Sequence, residues 1–304
     1  MNKKILVAVH SGHTDTPAIQ RALSLASATT DVDIMLYSAV YDEYIPNLNV
    51  VADQIQKLHQ KMLDSEIKKL EEIKSHLVQA AKSVEIEAQW EPSVTDGITK
   101  AAKQFNADLI IVSSTRHTSL TRLFLSNTDW EILRHVHMPI LFAHQHENKP
   151  YKKVVIAVES AYNNDHTLKL EDRMIAIGRS ICETFNGELH LAHAHPAQPS
   201  MTSMDYMIPA ELNEKLKQEH EGALNQQASR HNINEHNTHF LEDYPRIAIP
   251  KLANDIDADL VVMGLVSRSF IDRFLIGSTT EYLLDHLECD VLTVHANYID
   301  DALN

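Results

Sequence analysis

The residues of this chain best suited to chemistry sit in one loop near its end, "GLVSRSFIDRFLIGSTTEYLLDHL", residues 264–287. Ile276, Leu283, Leu284 and Leu287 fall on one helical face, so a helix starts near Gly277. Its first turn offers backbone N–H groups without intrahelical partners, together with the hydroxyls of Ser278 and Thr279. Unpaired donors and the positive end of the helix dipole point the same way there, which favours an anion such as a phosphate. Gly264 closes an aliphatic run and is read as the point where the backbone leaves a strand at an angle other residues resist. Two of the chain's 7 glycines frame this loop. The same letters also spell a plain helix start with serine as its cap.

Histidines suggest two other chemistries. "VAVHSGHTD", Val7 to Asp15, contains His10-x-Gly-His13, a spacing that nucleotidyl-transferring enzymes use to hold ATP phosphates. Such histidines need a loop between strand and motif, and His10 follows its strand directly. "SSTR" from Ser113 resembles a second phosphate motif, but Arg116 falls two residues early. In "HLAHAH", His193 and His195 share one face of a strand, because side chains alternate with period two. Zinc takes three or four ligands in tetrahedral array, and the sequence supplies no evident third. The expectation is therefore buried histidines, no metal site and no catalytic residue, since no nucleophile is paired with a base.

Composition narrows the partners. The 304 residues carry 27 Lys+Arg against 42 Asp+Glu, a formal charge of −15. That balance repels nucleic acid and anionic membrane unless basic residues cluster. Lys68, Lys69 and Lys74 are interleaved with Glu66, Glu71 and Glu72, as on a solvated helix. Cys182 and Cys289 lie too far apart for a metal motif and read as buried thiols of a reducing compartment. No apolar run approaches the roughly 20 residues a membrane helix requires, and no cleavage signal follows Val9. A cytoplasmic protein is the expectation.

The elements that must position the loop are written twice. "ADLIIVSSTRHTSLTRLFLSNTDWEILRHVHMPILFA" from Ala107 aligns without a gap to "ADLVVMGLVSRSFIDRFLIGSTTEYLLDHLECDVLTV" from Ala258, an offset of 258 − 107 = 151. "KKILVAVH" from Lys3 corresponds to "KKVVIAVE" from Lys152. Domains over 1–146 and 150–304 follow, joined by a short polar junction. In the first, strands are expected at 5–9, 33–40, 85–90, 109–112 and 140–143, with helices at 16–28, 52–83, 95–105 and 128–137. In the second, strands are expected at 154–158, 188–195, 238–241, 260–263 and 291–295, with helices ending at 185 and covering 210–231, 246–256 and 278–287. Continuous aliphatic strands alternating with helices call for an α/β fold of two tandem doubly wound five-stranded parallel sheets. Ligands on such sheets sit at the carboxyl ends of strands, where the strand order reverses.

With these elements in place, the later loop resembles that of the universal stress protein family. Its ATP-binding members carry Gly-x-x-Gly, nine residues, then Gly-Ser or Gly-Thr. Gly264 matches the first glycine, Ser267 replaces the second, and Gly277-Ser278 match the last pair. The resemblance runs over nearly the whole chain and is nearest to the tandem, E-type branch, to which "EDYPRIAIPKLA" from Glu242 is also similar. It implies an adenine nucleotide alpha hydrolase-like fold, an internal pseudo-dimer of the two copies with further homodimerisation open, and ATP with Mg²⁺ as the ligand. It further implies nucleotide contacts at Glu159, in place of a family aspartate after the first strand, and at the backbone of Ala194. In the first copy the loop positions are Ser113, Arg116, Ser126 and Asn127, all three glycines are gone, and nucleotide binding in the family's manner is not expected. His10 occupies the place of Glu159 and reads as drift from the aspartate.

The resulting expectation is a stress-response binding module that is not an enzyme. Two readings compete. "PAQPSMTSMDYMIPAE", rich in methionine at Met201, Met204 and Met207, suggests a nucleotide-independent scaffold or a carrier of a small apolar ligand. The histidines suggest a slow ATPase or a metal-dependent enzyme.

Overall fold

The computed structural model describes residues 3–10, 13, 15–29, 31–42, 44, 52–114, 127–144, 149–160, 165–196, 210–265 and 278–296. The chain divides into two compact units, Met1–Lys149 and Pro150–Asn304. Unit 1 runs β1 (Lys3–Ala8), α1 (Pro17–Thr29), β2 (Val32–Val40), α2 (Ala52–Leu77), β3 (Ser83–Trp90), α3 (Val94–Phe105), β4 (Leu109–Ser113), α4 (Asn127–His135) and β5 (Ile140–Ala143). Unit 2 repeats it as β6 (Lys153–Val158), α5 (Asp165–Phe185), β7 (Glu188–Ala194), α6 (Ala210–Arg230), β8 (Thr238–Leu241), α7 (Pro245–Asp255), β9 (Leu260–Leu265), α8 (Ser278–His286) and β10 (Asp290–His295). Within each unit the strands pair in parallel, in the order β3-β2-β1-β4-β5 in unit 1 and β8-β7-β6-β9-β10 in unit 2. The order therefore reverses between β1 and β4, and again between β6 and β9. Among the described residues no helix is long and apolar enough to cross a membrane.

The central strands explain the aliphatic runs. Leu6, Val7, Ile110 and Ile111 in unit 1, like Val154, Val155, Val261 and Val262 in unit 2, are buried on both sheet faces. Each such side chain withdrawn from water contributes roughly 1.5–3 kcal/mol before entropy is counted. Helix α2 is shorter than its charge pattern suggests and ends at Leu77 instead of Ser83. Val78 to Ala81 turn back on the last helical carbonyls, and the Lys82 N–H bonds to Val32 O, committing Ser83 onward to β3 beside β2.

The repeated "AD" before β4 and β9 also has a structural meaning. Asp108 Oδ2 accepts the Lys4 N–H at 2.9 Å, and Asp259 Oδ2 accepts the Lys152 and Lys153 N–H groups at 2.6 and 2.9 Å. One carboxylate thus binds the start of the neighbouring central strand in each copy. The lysine of that strand reaches back to the preceding helix, Lys4 Nζ to Phe105 O and Lys153 Nζ to Ile256 O. Asn106 and Asp257, next to these helix ends, both adopt left-handed backbone with φ of 56° and 53°. Short polar side chains tolerate that region best after glycine.

Asp259→Ala should lower the denaturation midpoint of unit 2 by the equivalent of about 1–3 kcal/mol, because two strand-end donors lose a charged acceptor. Asp259→Asn keeps an acceptor oxygen and should lose less; chemical denaturation read by fluorescence and circular dichroism would rank the two.

Candidate functional site

The mouth of unit 2 is assembled from the carboxyl ends of β6, β7 and β9 and the start of α8. Glu159, directly after β6, is exposed. Its backbone N–H is held from beneath by Glu171 of α5, whose Oε1 accepts it at 2.6 Å. The other Glu171 oxygen accepts Gln227 Nε2 of α6 at 2.8 Å, and Ser160 Oγ donates to Gln227 Oε1 at 3.1 Å. Glu171, Gln227 and Ser160 are all buried, Glu171 at 3 % exposure. Burial pushes the Glu171 carboxyl above the usual range, opposed by the bonds from Glu159 and Gln227 and reinforced by the neighbouring charges of Glu159 and Asp172. Its apolar neighbours Leu170, Met174 and Ile175 place Glu171 on the buried side of α5. An acid inside that apolar stripe was the available sequence signal for this network.

Ala194 is the last residue of β7 and is half-buried. It pairs with Leu241, and the following N–H, of His195, is taken by Leu241 O at 2.8 Å. Val158 lies opposite His193 in the β6–β7 register, so Glu159 and Ala194 are neighbours at adjoining strand ends. Thr279 is exposed in the first turn of α8, which begins at Ser278. Ser267 and Gly277 lie outside the described residues, as do the Ser278 side chain and the methionine-rich stretch from Met201 to Ile208.

Gly264 has a different role from the one its place in the sequence suggests. Strand β9 does not end before it but continues to Leu265, with Gly264 opposite Val294. Its φ lies outside the left-handed region. A β-carbon there would meet Leu170 Cδ2 at 2.8 Å and Met174 Sδ at 3.2 Å, so the glycine lets α5 close on the sheet. Ser113 at the corresponding position of unit 1 also faces the first helix: its Oγ accepts the Ala18 N–H at 3.1 Å, in the first turn of α1. Glycine and serine are thus two solutions to packing the same helix. Arg116 and Ser126 are not among the described residues, and Asn127 opens α4.

His10 and His13 are exposed, and the His13 N–H bonds to His10 O at 3.1 Å. His193 lies in β7 and His195 directly follows the strand; both are buried and both pack against Phe240. A third histidine joins them, His220 of α6, with Nδ1 at 2.9 Å from His193 Nε2 and its ring centroid 4.5 Å from that of His195. Two nitrogens bonded to each other do not converge on a common ion, and no group of three ligands suited to a metal occurs among the described residues. On the opposite face of β7, His190 Nδ1 and His239 Nε2 are 3.0 Å apart. In unit 1, Ser114 Oγ lies 2.8 Å from His144 Nδ1, a hydroxyl–imidazole pair that sequence reading missed. Both residues are buried, and the hydroxyl lies within 3.1 Å of Ala143 O, so the pair links the ends of β4 and β5.

A profile of the universal stress protein family matches residues 1–144 and 150–295. The chain belongs to the universal stress protein family. This tandem universal stress protein is 27% identical over 315 residues to the universal stress protein E homolog of Haemophilus influenzae, covering 98% of this chain and 99% of that one. It is 26% identical to universal stress protein E of Escherichia coli K12 over 97% of this chain and 94% of that one. In fold it is similar to a universal stress protein structure from Archaeoglobus fulgidus, with a TM-score of 0.68 at 17% identity over 97% and 99% of the two chains. A structure under the same family name from Pseudomonas aeruginosa UCBPP-PA14 has a TM-score of 0.72 at 23% identity over 98% and 95%. The chain is thus a tandem, UspE-like member, and the doubly wound α/β fold is the family's.

In this universal stress protein, Gly264→Ala should cost about 1–3 kcal/mol through overpacking against Leu170 and Met174, measurable in a denaturation midpoint without ligand. Because its folded pKa is raised, Glu171 binds a proton more tightly folded than unfolded, and its ionisation opposes folding above that pKa. Glu171→Gln should accordingly match or exceed the wild-type midpoint at pH 7.5. Glu171→Leu, which removes both acceptors, should lose about 1–3 kcal/mol per bond.

Proposed function

We propose that this tandem universal stress protein is a cytoplasmic, non-enzymatic binding module of the stress response. Its second domain takes an adenine nucleotide with Mg²⁺, and its first is structural. The observation that carries this reading is the start of α8 at Ser278, on the loop leaving β9 at the switch point of unit 2. Free N–H groups there suit phosphate oxygens, with the Gly277, Ser278 and Thr279 stretch and Ser267 as the proposed phosphate contacts. Gly264 contributes by seating α5, Glu159 offers a carboxylate to ribose hydroxyls, and the Ala194 backbone lies beside it for a base. Mg²⁺ is needed in this reading because Glu159 places an acidic group at the mouth, and a bare triphosphate would meet like charge.

That acidity also favours a second reading, a nucleotide-independent scaffold or carrier of an uncharged, apolar molecule. Calorimetric titration of the full chain with Mg-ATP separates them. Heat fitting one class of site, lost in Gly277→Val and retained in Arg116→Ala, supports the nucleotide reading. Absence of heat at millimolar Mg-ATP leaves the scaffold.

A further inference from the structure

We propose that the N-terminal half of α6 is an acid-released latch: neutral His193, His195 and His220 hold it on β7 and β8, and proton uptake by this cluster frees it. This does not depend on any nucleotide being bound.

The hydrogen bonds fix the protons. His193 Nδ1 lies 3.1 Å from Val158 O. A carbonyl only accepts, so Nδ1 carries the proton and Nε2 is left as an acceptor. His220 Nδ1, 2.9 Å away, must then donate to it. The chain runs from the outer nitrogen of His220 through His193 to the backbone of β6. A first proton can enter at His220 Nε2 without breaking a bond. A second proton on the pair, at His193 Nε2, sets N–H against N–H, and a proton on His195 puts charge against a His220 ring 4.5 Å away. Either way α6 must move.

The surroundings offer little relief. Phe240 of β8 packs against both His193 and His195, with centroids 5.9 and 6.0 Å away. His195 Nε2 is buried with no hydrogen-bond partner among the described residues. Glu242, after β8, is the anion that favours charge on His195, but Lys217 of α6 opposes it and is itself bonded to Glu242 at 2.7 Å. Glu219, on α6, favours charge on His220, while burial and His195 disfavour it. From α5, Glu171 acts further along α6, through Gln227.

The second half of α6 is held by other means: buried Leu224, the Gln227–Glu171 bond, and Arg230 and His231 on Asp172 Oδ1 at 2.7 and 2.8 Å. Glu171 has the opposite linkage, since its raised pKa makes proton uptake favour the folded state. Acid therefore loosens one half of the helix and leaves the other in place.

The sign follows from His193, whose pKa burial pushes down from 6.5 to about 4. Its contribution is present above 6.5 and is lost as pH falls toward the folded value. Between pH 7.5 and 5.0 the opening equilibrium of residues 211–221 should rise on the order of 30-fold.

Hydrogen exchange of the full chain, corrected for intrinsic rates, reads this directly. The expected result is acid-accelerated exchange in residues 211–221, with 174–184 of α5 and 260–265 of β9 unchanged. His220→Gln should reduce the acceleration, because an amide can turn its carbonyl toward a protonated His193 while burial still disfavours the charge. His239→Gln, on the other face of β7, should leave it intact. Long-range proton–nitrogen NMR of the wild type should show His193 protonated at Nδ1 at pH 7.5. Exchange in 211–221 that does not change with pH, acceleration undiminished in His220→Gln, or His193 protonated at Nε2 would each overturn the proposal.

Discussion

A strand buried on both faces in the middle of a parallel sheet leaves its backbone ends nowhere to go but into the protein. In this molecule β1 and β6 are such strands, and the rest of each unit is arranged around satisfying them. Helices cover both faces because the side chains are apolar on both. At the amino ends, Asp108 and Asp259 accept the first strand amides, and the strand lysines donate to the helix-end carbonyls behind them. At the carboxyl ends the two copies diverge, and that is where chemistry can differ.

The divergence follows a pattern. Lys4 lies opposite Asp33 and Lys153 opposite Glu188, so Ser38 and His193, each five residues on, hold the same inward place. In unit 1 that place is filled by a bond from Ser38 Oγ to buried Glu66 of α2, at 2.9 Å. In unit 2 it is filled by the His193–His220 bond to α6. A carboxylate–hydroxyl contact and an imidazole pair each satisfy a buried polar group, as the low-dielectric interior requires. Acid can break the imidazole pair. Ser113 and Gly264 form a parallel case, one bonding the first helix and the other making room for it.

How much of this could be read from the sequence depends on the range of the interaction. The repeat, the strand runs and most helix spans rest on periodicity within a dozen residues, and they needed no coordinates. The end of α2 was misplaced because Lys82 is claimed by Val32, fifty residues earlier. Gly264 was assigned to a turn because glycine after an aliphatic run usually marks one. Its neighbours Leu170 and Met174 are distant in sequence, and the reason for the missing side chain was invisible without them. Among the candidate contacts, Glu159, Ala194 and Thr279 could be placed at strand and helix ends from pattern alone, whereas Glu171 and Gln227, which anchor that mouth, could not.

The sequence by itself determined two copies of an alternating strand and helix pattern, their family, and which loop carries glycine and hydroxyls, because these are properties of local spacing. The tertiary structure decided which polar groups meet: His220 with His193, Glu171 with the Glu159 amide, Asp259 with the start of β6. Hydrogen bonds are short-ranged and directional. Residues separated by tens of positions can form them only once burial of the strands has fixed where each helix lies.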